Sequence, residues 1–140
     1  MEEQFHFLLM QTFNMTNRIM QQAAASLGLD PGQPKILQCL YPDHAYPPKR
    51  IAACCRMDKS TATLLIQRME ARNLLVRTPS STDKRSILIR LSEEGKKQAE
   101  KVIEAGKALD QKALAGFSEA QISQLKTALL KIQNSLEETE

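Results

Sequence analysis

The sequence has no uninterrupted apolar stretch near the roughly 18 residues that crossing a bilayer requires. Charged or amide side chains break every run, so no membrane association is expected. The opening Met1-Glu2-Glu3-Gln4 lacks the positive charge and apolar core of a secretory leader, and none is expected. Cysteine is scarce and odd in number, three in 140 residues, which excludes a disulfide framework. The two histidines, His6 and His44, stand apart, and no C-x-x-C or closely spaced His/Glu pair occurs. No metal site is expected from that set. Nothing matches a P-loop, a dinucleotide fingerprint or a nucleophile elbow. A serine or cysteine nucleophile would also need a nearby base, so both an enzyme and a cofactor are rejected. Internal repeats and low-complexity tracts are missing too. The remainder, 42% hydrophobic and 25% charged, is an ordinary globular chain of one-domain length, expected to be soluble and cytoplasmic.

Charge is unevenly spread. Residues 1–48 and 91–140 each carry net −2, whereas residues 49–90 carry ten basic side chains against Asp58, Glu70 and Asp83, net +7. A basic centre between acidic flanks is the footprint of a nucleic-acid reader on a separate scaffold, or simply a solvated cationic surface. Periodicity decides between them.

Phe5, Leu8, Leu9, Phe13, Ile19, Met20 and Ala23 recur at helical steps, and Gly28 closes that helix. Asp30-Pro31 suits a new helix start, with Ile36, Leu37, Cys39 and Leu40 as its apolar content. Pro42 and Pro47-Pro48 end it. A short helix over about 49–55 buries Ile51, Ala52 and Cys55. After Arg56-Met57, a helix from Asp58 or Lys59 to about Arg72 sets Ala62, Leu65, Ile66 and Met69 along one stripe. Asn73 is a plausible stop because asparagine tolerates the left-handed conformation. The period then changes. Leu74–Arg77 and Ile87–Leu91 read as strands joined by a polar, basic loop, which is a hairpin. Ser92 caps a long helix to about Gly116, and Ser118 opens a last one carrying Ile122, Leu125, Leu129, Ile132 and Leu136.

The helix after Arg56-Met57 is the informative one. Its outer face has Lys59, Ser60, Thr61, Thr63, Leu64, Gln67 and Arg68, where an ordinary surface helix carries more Glu and Lys. In a major groove the hydroxyls suit bases or phosphates, Gln67 adenine, Leu64 a thymine methyl, and Arg68 phosphate or guanine. Lys84 and Arg85, at a narrow hairpin tip, suit a minor groove.

The runs Asp58-Lys59-Ser60-Thr61-Ala62-Thr63, Arg68-Met69-Glu70 and Leu74-Leu75-Val76-Arg77 resemble the recognition helix and first wing strand of the MarR family of bacterial transcriptional regulators. Asp83-Lys84-Arg85, five residues, then Leu91-Ser92, is similar to that family's wing signature, with an acid, Gly95 and basic residues following. The resemblance implies a mainly α fold with a small β-hairpin wing, a winged helix-turn-helix lobe over 30–91. It further implies a single domain, 1–140, with dimerisation helices at 1–29 and 92–140 that interlock in an obligate homodimer. The expected function is repression from a pseudopalindromic site on double-stranded DNA, relieved by a small lipophilic or phenolic effector. Asp83 would orient Arg85 in the minor groove. Three positions depart from the pattern: Leu64 stands where many relatives are basic, and Arg56 and Asn73 stand where glycine is common.

Two other readings remain open. Cys54, near Lys49, Arg50 and Arg56 in sequence, could make the regulator redox-responsive, whereas Cys39 and Cys55 fall at core positions. Alternatively, the winged helix is a protein-interaction module, against which the net +7 centre argues.

Overall fold

A computed structural model describes residues 4–80, 82 and 86–137. Six helices and one hairpin follow in the order α1 (Phe5–Ser26), α2 (Gln33–Leu40), α3 (Pro48–Cys55), α4 (Lys59–Ala71), β1 (Leu75–Pro79), β2 (Ile87–Leu91), α5 (Glu93–Ala113) and α6 (Glu119–Glu137). The chain divides into two compact units, Met1–Lys107 and Ala108–Glu140. In the first, Ile36, Leu37 and Leu40 of α2 meet Ile51 of α3, Ile66 and Met69 of α4, and Ile89 and Leu91 of β2 in a sealed core. The stripe read on α4 is the one buried: Ala62, Leu65, Ile66 and Met69 all face inward. In the second unit α6 buries no residue, and Leu125, Leu129, Leu130 and Leu136 are exposed.

Three helices of the first unit end the same way. The N–H groups of Leu29, Met57 and Leu74 reach back to the carbonyls of Ala24, Ala52 and Met69 at 2.9, 3.0 and 3.0 Å. Each closure needs a left-handed residue just before it, supplied by Gly28, Arg56 and Asn73 with φ of 75°, 54° and 61°. The two non-glycine departures therefore occupy the positions where glycine is easiest. Asparagine lowers the cost at residue 73, and alanine would not. Asn73→Ala should destabilise the fold by about 1 kcal/mol while Asn73→Gly should not, measured by thermal denaturation.

The start of α2 differs from expectation. The helix begins at Gln33, not at Asp30-Pro31, because Gly32, with φ of 90°, turns the chain first. Asp30 still serves the helix end. Its carbonyl accepts the Gln33 N–H at 3.1 Å, and the fully buried Gln33 side chain accepts the Asp30 N–H at 2.9 Å. Only the returning half of a capping box is present, since the backbone carbonyl of Asp30, not its carboxylate, accepts the Gln33 N–H.

β1 and β2 pair antiparallel with Leu75 opposite Leu91 and Pro79 opposite Ile87, and β1 starts one residue later than the sequence suggests. The Ser92 hydroxyl donates to the Asn73 carbonyl at 2.6 Å and accepts the Gly95 N–H at 2.9 Å. One side chain thus caps α5 and ties it to the end of α4.

Candidate nucleic-acid interface

α3 and α4 are separated by only Arg56–Asp58, and the core on α2, α3 and β2 holds the inner face of α4. The outer face follows from the helical repeat. Ser60, Leu64, Gln67 and Arg68 recur at four, seven and eight residues and are all exposed, as are Lys59 and Thr61. Leu64, with 48% of its surface accessible, is an apolar group held in solvent by the inward packing of Leu65 and Ile66. Thr63 differs from its neighbours. It is half-buried and its hydroxyl donates to the Lys59 carbonyl at 2.8 Å. That leaves its oxygen only acceptor capacity toward another molecule.

Among the described residues no ion pair involves Lys59 or Arg68. Other arginines of the basic segment are committed within the fold. Arg77 pairs with Glu70 at 2.6 Å, which raises its pKa further. Arg72 donates to the Gly28 carbonyl at 2.6 Å and so joins the end of α4 to the end of α1. Sequence spacing separates these two from the α4 face, but the Gly28 contact is a tertiary feature with no local signal.

Asp83, Lys84 and Arg85 lie outside the described residues. Next to the last strand pair, the Ser80 N–H donates to the Ser86 carbonyl at 3.0 Å. Cys54 is exposed on α3. Cys39 and Cys55 are half-buried, and burial, helped by the Cys54 thiol beside each, raises both pKa values, that of Cys55 to about 11. Both stay protonated near neutral pH, which suits a packing role rather than a nucleophile. Among the described residues no group of three His, Cys, Asp or Glu could hold a metal, and no helix is long and apolar enough to cross a membrane.

A cavity of about 530 Å³ lies between α1 and α2. Phe13, Met20, Ala24, Leu29, Pro31 and Pro34 supply apolar walls, while Asn17, Gln21, Lys35 and Gln38 add polar groups. Mostly apolar walls with a few polar groups and one cation suit a lipophilic molecule with an anionic end. No single periodic stripe announces it, since its walls combine α1 with the following loop and the start of α2.

The MarR family model matches residues 29–87, which run from the loop before α2 to the start of β2. A curated relative, the HTH-type transcriptional repressor MdtR of Bacillus subtilis, is 27% identical over 121 residues, 86% of this chain and 78% of that protein. The MepR–DNA complex of S. aureus superposes with a TM-score of 0.83 at 21% identity, covering 96% of this chain and 99% of that one. BpsR of Bordetella bronchiseptica, whose DNA binding is regulated by 6-hydroxynicotinic acid, superposes with a TM-score of 0.81 at 24% identity, covering 94% of each chain. These two superpositions bear on the fold: six helices and a two-stranded wing, mainly α, in a winged helix-turn-helix.

Proposed function

We propose that this chain, whose residues 29–87 match the model of the MarR family, is a transcriptional regulator of that family, a homodimeric repressor that releases its operator when a small molecule binds. The exposed face of α4 carries the reading. Hydroxyls, an amide, one apolar side chain and cations that form no ion pair among the described residues stand together on a helix whose other face is locked into the core. Lys59 and Arg68 supply charge to phosphate or guanine, and Ser60, Thr61, Leu64 and Gln67 supply preference among bases. Thr63 takes part as an acceptor, and Asp83, Lys84 and Arg85 act in the wing.

A second copy covers the apolar side chains left in solvent on α1 and on α6. Two lobes then meet a site with matching two-fold symmetry. The lobe of residues 30–91 reads DNA and the flanking helices dimerise. Such a regulator works in the cytoplasm, beside the DNA that it reads, and needs no cofactor.

The wing and the helix face separate in one experiment, a mobility-shift titration with the chain's own upstream DNA and with a scrambled duplex. Arg85→Ala should flatten the log-affinity against log-salt slope by roughly two units, one charge from each subunit. Gln67→Ala should weaken binding to the upstream DNA alone, by about tenfold. Arg77→Ala should cost less than Arg85→Ala, because Arg77 already has Glu70 as a partner. Equal losses for both arginines on both duplexes would leave only a general basic surface.

The cavity between α1 and α2 is the effector site, and its occupant would favour a lobe position that no longer matches successive grooves. BpsR responds to an aromatic carboxylate, and Lys35 suits such a group here. Titration with 6-hydroxynicotinic acid should therefore lose about tenfold in affinity on Lys35→Met, the value of one charge-assisted hydrogen bond. Parent-like binding by that variant would remove Lys35 from the site.

A further inference from the structure

Tyr46, in the connection between α2 and α3, forms a one-residue third strand on the wing. Its N–H donates to the Ile89 carbonyl at 3.0 Å and its carbonyl accepts the Ile89 N–H at 2.8 Å. Ile89 is fully buried, so the Tyr46 backbone is anchored to the core. The phenol ring has two planar neighbours. The His44 imidazole stacks on it with 5.2 Å between centroids and 11° between planes, and the Arg50 guanidinium lies 4.1 Å from its centroid.

Arg50 is exposed in the first turn of α3, and among the described residues no ion pair involves it. A surface arginine ordinarily samples many rotamers, and fixing it carries an entropic cost. Here the ring has already restricted the guanidinium without neutralising it. A guanidinium held over a ring still has N–H donors directed away from it, available to a bidentate oxyanion. In helix-turn-helix proteins the second helix enters the groove while the first crosses the sugar-phosphate backbone. α3 is that first helix, within the segment of net +7.

We infer that Arg50, braced on Tyr46, holds a DNA phosphate outside the base-reading face of α4. The inference rests on the DNA-binding reading above. Arg50 is the contact and Tyr46 is a positioning residue. A phosphate contact carries no sequence information, so it works equally on operator and random DNA.

The test needs no knowledge of the operator. A labelled 30-base-pair duplex of mixed sequence is titrated by fluorescence anisotropy across a range of salt. Arg50→Ala should flatten the salt slope by about 1.8 units, 0.9 for each subunit of the dimer. Arg50→Lys should restore the slope. Tyr46→Leu should weaken binding about fivefold or more with the slope kept, because the charge remains while the brace is lost. Tyr46→Phe, which keeps the ring, should match the parent. In the Arg50→Ala background Tyr46→Leu should have no further effect, an outcome that a purely structural tyrosine would not give. An unchanged slope in Arg50→Ala, with the parent binding normally, overturns this inference and leaves the DNA reading intact. Equal losses from Tyr46→Leu with and without Arg50 overturn the positioning role. A parent that binds no duplex overturns both readings together.

Discussion

Gly95→Ala should lower the thermal midpoint by about 10 °C, corresponding to a loss of about 3 kcal/mol. A Cβ built on Gly95 would overlap the Leu74 carbonyl oxygen and come within 3.4 Å of the Leu91 side chain. Backbone cannot yield as a flexible side chain can. That carbonyl also accepts the Ser92 N–H at 3.0 Å, and the Ser92 hydroxyl holds both Asn73 and Gly95. The added methyl therefore pushes on the joint between the end of α4, the wing and α5. Gly106→Ala in the same helix is the control. Its Cβ would meet Gln38 and Met20 at 3.7 and 4.0 Å, ordinary contact distances, so helix propensity should gain up to about 1 kcal/mol. Equal midpoints for the two variants would contradict the packing described for Gly95.

Dimerisation should be almost as sensitive. Of the 22 residues in α1 only Ala24 is buried, although Phe5, Leu8, Leu9 and Phe13 recur along it at three- and four-residue steps. Leu9 and Phe13 stand one turn apart with 41% and 52% of their surfaces accessible. Burying such side chains against a second copy is worth roughly 1.5–3 kcal/mol each. A glutamate at either position would add an unpaired buried charge. Leu9→Glu with Phe13→Glu should thus weaken self-association at least about 100-fold, at 1.4 kcal/mol per decade. Sedimentation should give twice the 15.7 kDa chain mass for the parent and the single-chain mass for the variant. A parent that is a folded monomer at micromolar concentration would refute the shared interface.

How far the sequence was legible depended on the range of the interaction concerned. The buried stripe of α4 came directly from spacing, because one helix face supplies it. The bounds of β2, Ile87–Leu91, were equally plain, since the β-branched run there is bracketed by the polar loop and by Ser92. The αL residue at Asn73 was readable from side-chain chemistry alone. The start of α2 was displaced because proline and aspartate announced a helix, while Gly32 imposed a turn before it. Thr63 shows a limit of a different kind. Spacing sets it among the outward residues, but it is half-buried, and a helical threonine can bond its own backbone, as it does here. Tyr46 was missed because pairing one residue with Ile89 requires knowing where the wing folds back. The same is true of Arg72 on Gly28 and of the cavity walls.

The central claim, that a basic winged lobe reads duplex DNA, meets its most direct measurement in equilibrium binding of the parent protein. DNA from its own upstream region and a scrambled duplex of equal length are compared at 50 and 200 mM salt. Several phosphate contacts from each subunit predict that affinity for either duplex falls by about a thousandfold over that range. The upstream DNA should stay the tighter ligand by about a thousandfold at both concentrations. Absent binding, or affinity indifferent to both salt and sequence, would contradict the account.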